Sequence, residues 1–384
     1  MRIKEDVKYL KSWLRNIKKM ACEIREKSRA KKKLSIFTIS STTKSTPSYR
    51  PYLTPIRGIT HGYIGGGVVF SQTQAVLLCK EIDGIVDYIL VDAEKKIGIS
   101  TDVDYTPLKL LKLSPIVKKH NSRFAVEMGN LSSTCYSRVV KSQFCEYKPN
   151  DLTAEAVWYF LSNHFHILSG KKITIVGAGN IGFKIALKLV ESGVEVHLVR
   201  RDLNKGMMIA NTINIIKPSS TVATAHYNQD ALQASLFSSA VIGCSCGTPV
   251  ITWEMIQSLS KEGIVIDVGK GTIDKDAVYK AGKFNVPIFR TDISSVLEGL
   301  ISAILCNKTT IKSKAGKKEI AKNIFVVSGG FMGGENDVIV DNCYNPKYVI
   351  GLCDGAGDFK NKFSLNEKKI LSKVERIIKN TTNA

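Results

Sequence analysis

The sequence predicts an α/β protein in which a doubly wound parallel sheet follows a smaller α/β domain and a basic N-terminal helix. Three observations support this class. Strand-like and helix-like patterns alternate over roughly 130 residues of the second half of the chain. A glycine-rich loop joins the first of those strands to a helix, and apolar residues recur at helical spacing near the N-terminus. A chain of 384 residues is too long for one ordinary core, so at least two domains are expected.

The first predicted element is an amphipathic helix. Its apolar stripe has a spacing that alternates between three and four residues, and consists of Ile3, Val7, Leu10, Leu14, Ile17, Met20 or Ala21, and Ile24. Such a stripe has to be buried, either against the body of the protein or against a second copy of the chain in a homodimer. Residues 38–55, rich in Ser, Thr and Pro, then predict a linker. Residues 1–55 are therefore interpreted as a basic helix and a linker.

The same N-terminal segment concentrates positive charge. Residues 1–33 contain thirteen Lys and Arg against four Asp and Glu, in a chain whose formal net charge is +21. One interpretation is an arm that docks on an anionic partner, such as nucleic acid or a lipid surface. The other is the solvated face of a lysine-rich protein.

Residues 56–150 predict the smaller α/β domain, which would hold the substrate and the catalytic groups. The stretches GGGVVF, VDYILVDAE and RFAVEM predict strands, and SQTQAVLLCKEI and LKLLKL predict helices. Carboxylates and imidazoles at strand ends can act as acids or bases. The candidates are Asp92 and Glu94, with His61 and Glu127 as weaker ones.

Residues 151–310 predict the doubly wound sheet. A helix within KPNDLTAEAVWYFLSNHF precedes a strand at 173–176, a helix at 180–192, a strand at 194–199 and a helix at 203–216. Further strands are predicted at SAVIGCS, GIVIDVG and VPIFRTD, with a helix at TWEMIQSLS. Residues 311–384 predict a C-terminal segment with a basic stretch at 311–323, two strands joined by a turn within 324–342, and a helix over 364–380.

The glycine loop lies between the strand at 173–176 and the helix that follows it. It reads G-x-G-x-x-G, with Gly177, Ala178, Gly179, Asn180, Ile181 and Gly182. The first glycine permits a tight turn, the second lets the backbone approach a pyrophosphate, and the third allows close packing of helix and strand. The helix N-terminus offers N–H groups to the phosphates. The pattern predicts a Rossmann-type dinucleotide-binding domain; the alternative is a turn that only connects strand and helix.

The end of the second strand indicates which dinucleotide would bind. An NAD site usually has a carboxylate there, but this sequence has Arg200 and Arg201. Guanidinium groups at that position suit the additional phosphate of NADP, so NADP is predicted in preference to NAD. Asp202 follows, and either binds the ribose or caps the next helix.

Two later strand ends are predicted to lie near the nicotinamide, because ligands of open α/β sheets bind beyond the carboxyl ends of the strands. The residues concerned are Ser245, Cys246, Gly247, Val268 and Gly269. Lys270 follows directly and is a candidate for polarising a carbonyl or transferring a proton. The alternative for Lys270 is an exposed lysine in a turn.

Several classes are excluded by what the sequence lacks. None of the nine cysteines forms a C-x-x-C pair, so neither a zinc site nor a disulfide framework is expected. No run of about 18 uncharged apolar residues occurs, so no membrane span is expected. The N-terminus has no apolar centre of the kind found in signal peptides, and a reducing cytoplasm is the expected location.

Residues 150–305 resemble two-domain dehydrogenases of the shikimate dehydrogenase, methylenetetrahydrofolate dehydrogenase and glutamyl-tRNA reductase group. The resemblance lies in DLTAEAVWYFL, LSGKKITIVGAGNIG, the basic end of the second strand, VIGCSCGTPVI with its WEMI helix, and GIVIDVG. It implies a Rossmann domain that binds NADP, with a catalytic domain before it. SSTCYSR, with Cys135, is faintly similar to the nucleophile motif of glutamyl-tRNA reductases.

The predicted function is an NADP-dependent oxidoreductase that acts by hydride transfer on a small metabolite in an interdomain cleft. One alternative is a non-catalytic dinucleotide sensor or scaffold with a basic docking arm. The other is a thioester reduction like that of glutamyl-tRNA reductase, with Cys135 as the nucleophile.

Overall fold

The computed structural model describes residues 2–42, 50–94, 131–312, 316–328 and 330–382. The chain forms two compact units, Met1–Glu298 and Gly299–Ala384. The predicted helix LKLLKL, the predicted strand RFAVEM and the candidate Glu127 lie outside the described residues. The helices are α1 (Arg2–Ala30), α2 (Gln72–Ile82), α3 (Leu131–Tyr136), α4 (Pro149–Phe165), α5 (Asn180–Glu191), α6 (Leu203–Ile216), α7 (Ala231–Ser235), α8 (Trp253–Gln257), α9 (Lys275–Lys283), α10 (Ser294–Lys312) and α11 (Leu365–Thr382).

The strands follow the same chain order. They are β1 (Leu34–Ser41), β2 (Tyr52–Ile59), β3 (Gly62–Val69), β4 (Tyr88–Asp92), β5 (Gln143–Tyr147), β6 (Lys172–Val176), β7 (Glu195–Val199), β8 (Ala225–Asn228), β9 (Ala240–Gly243), β10 (Ile264–Asp267), β11 (Ile288–Arg290), β12 (Lys317–Ala321), β13 (Ile324–Ser328), β14 (Val338–Val340) and β15 (Val349–Leu352).

The N-terminal sheet has the strand order β2-β3-β1-β4-β5. Strand β1 lies at its centre, parallel to both β3 and β4, and β2 is an antiparallel edge strand. The prediction of a linker over 38–55 is therefore wrong where β1 and β2 overlap it. The stretch LSIFTISS is largely buried on both faces, so it lacks the alternation of apolar and polar residues that marks a half-buried strand. Its serines and threonines then resemble the composition of a linker.

Helix α1 packs on this sheet. Trp13, Ile17, Ala21 and Ile24 are buried in one core with Phe37 of β1. The predicted apolar stripe is thus buried against the body of the protein, as one of its two interpretations required. Trp13, which lies next to that stripe in sequence, is a core residue that the three-and-four spacing did not include. The N-terminal segment is consequently part of the core of the first unit.

The second sheet has the order β11-β10-β9-β6-β7-β8, and every neighbouring pair of strands is parallel. Counted from β6, this is the order 3-2-1-4-5-6 of a Rossmann sheet. Its core is formed by apolar residues of the strands and of α4 and α5, among them Ile173, Ile175, Leu161, Ile185 and Leu189. The predicted doubly wound parallel sheet is confirmed. The strand order reverses between β6 and β9, so the carboxyl ends of these two strands flank the crevice in which such sheets bind ligands.

The second unit contains a four-stranded sheet with the order β12-β13-β14-β15. The two strands predicted within 324–342 are β13 and β14, but they pair in parallel, so they are not the two arms of a hairpin. Helix α11 contributes Val374 and Ile378 to the core of this unit. None of the helices in the described part of the chain combines the length and hydropathy of a membrane-spanning segment.

The packing of α1 predicts a stability effect. Replacing Ile17, which is fully buried, by alanine should lower the free energy of unfolding by about 2–5 kcal/mol, because it removes core contacts and leaves a cavity. Arg15→Ala, on the exposed side of the same helix, should change it by no more than about 0.5 kcal/mol. Urea titration followed by circular dichroism measures both. Equal stability of the two variants would contradict the packing of α1 described here.

Candidate functional site

The glycine loop lies at the switch point of the second sheet, between the carboxyl ends of β6 and β9. Gly177 has φ = +105°, a conformation that L-residues with a side chain rarely adopt. A Cβ atom on Gly177 would lie 2.7 Å from the backbone nitrogen of Ser245, just beyond β9. The position thus requires glycine both for its conformation and for the close approach of two strand ends.

The other two glycines of the loop have different surroundings. A Cβ atom on Gly182 would overlap the carbonyl oxygen of Gly177, whereas a Cβ atom on Gly179 would meet no heavy atom within 4 Å. Gly179 is the N-cap of α5, and the space beside it adjoins the N–H groups of the first turn. Buried Ala178 and half-buried Ile181 anchor the loop, and Asn180 is exposed. These surroundings match the roles predicted for a loop that binds pyrophosphate.

The end of β7 contacts this loop through Arg200. Its guanidinium Nη1 donates a hydrogen bond to the carbonyl oxygen of Ala178, while its Nε is buried and has no hydrogen-bond partner among the described residues. The carbonyl oxygen of Arg200 accepts a hydrogen bond of 3.0 Å from the hydroxyl of Tyr227. Arg200 is therefore held beside the loop from both ends, and one of its donors is still unsatisfied.

The two neighbours of Arg200 differ from it. The Arg201 side chain is exposed. Asp202 is the N-cap of α6, and its carboxylate accepts a hydrogen bond of 3.1 Å from the backbone nitrogen of Lys205. That bond, together with the nearby charge of Lys205, lowers the pKa of Asp202. Of the two roles predicted for Asp202, the helix cap is the one that the structure displays.

The ends of β9 and β10 lie against each other next to the glycine loop. A Cβ atom on Gly269 would overlap the carbonyl oxygen of Ser245. Ser245 also donates a hydrogen bond of 2.6 Å to the carbonyl oxygen of Thr248, and Gly247 has φ = +68°. The side chain of Cys246 is exposed. The structure thus brings the residues predicted around the nicotinamide together at one edge of the sheet.

Lys270 lies in the turn that follows β10 and buried Val268. It is exposed and has φ = +57°, and Gly271 after it also has a positive φ, of +97°. A left-handed conformation at a lysine is uncommon, and such strained turns occur often at functional sites. The turn keeps Lys270 at the carboxyl edge of the sheet, as the sequence predicted.

Asp267 organises this turn, and sequence reasoning missed it. Its buried carboxylate accepts hydrogen bonds from the backbone nitrogen of Gly271 (2.8 Å) and the hydroxyl of Thr272 (2.8 Å), and it pairs with Arg290 at 3.2 Å. Burial raises the pKa of Asp267, but these hydrogen bonds outweigh it and the net pKa is lowered. The available signal was a lone carboxylate in the apolar strand GIVIDVG, directly before a glycine turn.

Glu94, a predicted acid or base, connects the two sheets. Its carboxylate accepts a hydrogen bond of 2.9 Å from the backbone nitrogen of Asn150 and lies 3.4 Å from the Nζ of Lys184. Lys184 is on α5, the helix that begins at the glycine loop, and also forms an ion pair with Asp151 of α4. The pair thus links the carboxyl edge of the N-terminal sheet to the glycine-loop helix.

Asp92 lies at the carboxyl end of β4 and is fully buried. Its carboxylate accepts hydrogen bonds from the backbone nitrogens of Glu94 (2.8 Å) and Ser41 (3.4 Å). In the parallel pairing of β4 and β5 it is aligned with Tyr147. Burial, and next the charge of Asp92, raises the pKa of Tyr147 well above its ordinary value. The structure therefore places a carboxylate and a neutral phenol together at this edge.

Two other candidates do not join this group. The carbonyl oxygen of His61 accepts a hydrogen bond of 2.9 Å from the backbone nitrogen of Leu34, at the start of β1, so His61 lies at the opposite edge of the N-terminal sheet. Cys135 is fully buried in the core. A hydrogen bond with Cys79, together with burial, raises the pKa of Cys135 well above its ordinary value. A buried thiol of high pKa lacks the thiolate character of a nucleophile.

No group of three or more His, Cys, Asp and Glu side chains suited to a metal ion occurs within the described ranges. The site therefore consists of the glycine loop, two strand ends and the edge of the N-terminal sheet that carries Asp92 and Glu94.

The glycine geometry predicts two opposite outcomes. Gly179→Val should retain the fold but weaken dinucleotide binding at least about a hundredfold, because the side chain would occupy the pyrophosphate position and cost two or more contacts of about 1.5–3 kcal/mol each. Gly182→Val should instead destabilise the fold, since the side chain would overlap the loop backbone. Isothermal titration with NADPH and thermal unfolding measure these effects. The control is Gly282→Val, at another glycine with open surroundings. Unchanged binding in Gly179→Val would rule out this loop as the dinucleotide site.

Comparison with known proteins gives one family match. Residues 160–277 match the model of the shikimate / quinate 5-dehydrogenase family. No curated protein sequence matches the chain significantly. The match begins within α4 and ends within α9, so it includes the glycine loop and the ends of β7, β9 and β10.

Solved structures with a similar fold have low sequence identity. The L-tryptophan dehydrogenase of Nostoc punctiforme is 13% identical, with 70% of this chain and 73% of that chain covered and a TM-score of 0.39. For a dipicolinate synthase of Bacillus halodurans the values are 16%, 58%, 80% and 0.31. For the shikimate 5-dehydrogenase of Listeria monocytogenes, solved with shikimate and NAD, they are 18%, 41%, 57% and 0.31. TM-scores this low do not indicate a function.

The family match covers the Rossmann sheet and its glycine loop. The predicted resemblance to this group of dehydrogenases is confirmed for that part of the chain. The second sheet with its glycine loop is therefore the Rossmann domain of an NAD(P)-dependent oxidoreductase.

Proposed function

We propose that the protein is an NADP-dependent oxidoreductase that transfers a hydride to or from a small metabolite. The substrate is held between the carboxyl edge of the N-terminal sheet and the ends of β9 and β10. The observation that carries the cofactor choice is Arg200, a half-buried guanidinium beside the glycine loop with an unsatisfied Nε donor.

The electrostatics of the β7 end favour an extra phosphate. Arg200 and Arg201 follow β7 directly, where the adenosine ribose of a bound dinucleotide lies in this fold. The carboxylate of Asp202, which would bind the hydroxyls of an NAD ribose, is occupied in capping α6. A phosphate at this position would instead accept charge-assisted hydrogen bonds from guanidinium groups.

The chain also has groups that can move a proton. When bound, NADPH supplies the hydride, and the substrate oxygen then needs a proton from the protein. Lys270 lies at the end of β10 beside the predicted nicotinamide position, and Asp92 lies at the facing edge of the N-terminal sheet. We assign Lys270 and Asp92 as candidate acid and base. Glu94 is committed to Lys184 and Asn150, so we assign it a positioning role.

The two alternatives have less support. Reduction of a thioester requires a reactive thiolate, and Cys135 is a buried thiol of raised pKa. A sensor or scaffold needs only the nucleotide site, and would not require a lysine held in a left-handed turn beside it. An assay of turnover separates the sensor from the enzyme.

Cofactor preference is testable on the two arginines. Arg201→Ala should weaken NADPH about tenfold or more, the cost of one charge-assisted hydrogen bond, while NADH changes less than about twofold. Arg200→Ala should weaken both cofactors, because its guanidinium also holds the carbonyl of Ala178. Arg201→Lys, which keeps the charge, is the matched control and should lose less. A wild-type protein that prefers NADH in isothermal titration would contradict NADP as the cofactor.

Turnover is testable without knowing the substrate. Oxidation of NADPH, followed by its absorbance, should occur with at least one member of a panel of small carbonyl metabolites. With that substrate, Lys270→Met should lower kcat by about a hundredfold or more, the usual contribution of a proton-transfer group, while the Kd for NADPH stays the same. A wild-type protein that binds NADPH but oxidises it with no carbonyl compound would favour the sensor. Normal kcat in Lys270→Met would remove Lys270 from the mechanism.

A further inference from the structure

Helix α1 presents one face to solvent because its other face is fixed on the N-terminal sheet. Trp13, Ile17, Ala21 and Ile24 are buried, and this sets the rotation of the helix about its axis. The helix is a rigid part of the first unit, so its exposed side chains have defined relative positions. The charge of the N-terminal segment is therefore displayed on a surface, in contrast to a flexible arm.

Five basic residues form a line on the solvent side of this helix. Lys11, Arg15, Lys18, Arg25 and Arg29 are spaced by four, three, seven and four residues, and such spacings place side chains on one face of a helix. Four of the five are exposed and Arg25 is half-buried. We name these five residues the basic stripe. Its 18-residue span corresponds to about 27 Å along the helix axis.

Acidic residues do not neutralise the basic stripe. From residue 9 to residue 30 the sequence has seven Lys and Arg but only Glu23 and Glu26 as acids. Glu23 forms an ion pair of 2.6 Å with Lys27, which is not part of the stripe. The described residues give Lys11, Arg15 and Lys18 no ion-pair partner. A row of unneutralised cations on a rigid element attracts a partner with regularly spaced negative charges.

We propose that the basic stripe binds the phosphate backbone of a double-stranded nucleic acid. A stripe of about 27 Å matches about eight base pairs at 3.4 Å each, so several cations can contact phosphates at once. The contacts go to the backbone and carry no sequence preference.

The other anionic partners fit this surface less well. A helix that lies in a lipid interface buries an apolar face in the bilayer, but the apolar face of α1 is buried in the protein's own core. Single-stranded nucleic acid binds to grooves with aromatic side chains on which bases stack. The basic stripe contains no aromatic residue, and Trp13 of the same helix is buried.

A matched pair of triple variants tests this proposal. One variant carries Lys11→Gln, Arg15→Gln and Lys18→Gln. The control carries Lys369→Gln, Lys373→Gln and Arg376→Gln on α11, which has the same residue types at the same spacing and equally exposed. Both remove three positive charges from an exposed helix face. Binding to a fluorescent 20-base-pair DNA duplex is measured by anisotropy over a range of salt concentrations.

The stripe variant should bind the duplex at least about tenfold more weakly than the control, and the slope of log K against log salt should fall by about 2.7, which is about 0.9 for each lost phosphate contact. Its thermal unfolding and its binding of NADPH should equal those of the wild type, which separates this proposal from the proposed enzymatic function. Equal weakening in both variants would mean that binding follows net charge alone, and would overturn the proposal. Loss of binding to phosphatidylserine vesicles with unchanged duplex binding would also overturn it, in favour of a lipid surface.

Discussion

The contact between backbone segments at the switch point is the constraint on which the candidate site depends. Gly177 touches the backbone that leaves β9, Gly182 touches Gly177, and Gly269 touches Ser245. Each contact is possible only because a side chain is missing, so the ends of β6, β9 and β10 lie closer together than larger residues would allow. This closeness exposes the N-terminus of α5 to a ligand and fixes the turn that carries Lys270.

Local patterns in the sequence predicted the parts of the molecule that short-range physics determines. The glycine loop and the arginines after β7 could be placed from their neighbours in the chain alone. Strand β1 could not, because its place at the centre of a sheet depends on pairing with β3 and β4, and a strand buried on both faces has no alternation to detect. The same limit applies to Asp267, whose function depends on Thr272 and Arg290 being folded against it.

Most polar groups near the candidate site have a structural task as well. Arg200 holds the glycine loop, Asp202 caps α6, and Glu94 pairs with Lys184. A residue type at a strand end therefore predicts where a side chain lies better than it predicts what that side chain does. Only the partners found in the folded chain distinguish a group that supports the site from one that remains available to a ligand.

The ion pairs of Lys184 have a consequence for how this Rossmann domain can be exchanged. The lysine is on the helix that would receive the pyrophosphate, yet its partners Glu94 and Asp151 lie on β4's carboxyl side and on α4. A chimera that imported a foreign nucleotide domain after residue 171 would leave the buried part of this charge cluster without its cation, and an uncompensated carboxylate is costly where solvent is scarce. Modular transplantation of this domain would thus have to respect a boundary defined by electrostatics, one that begins in the preceding helix and reaches back to the first sheet.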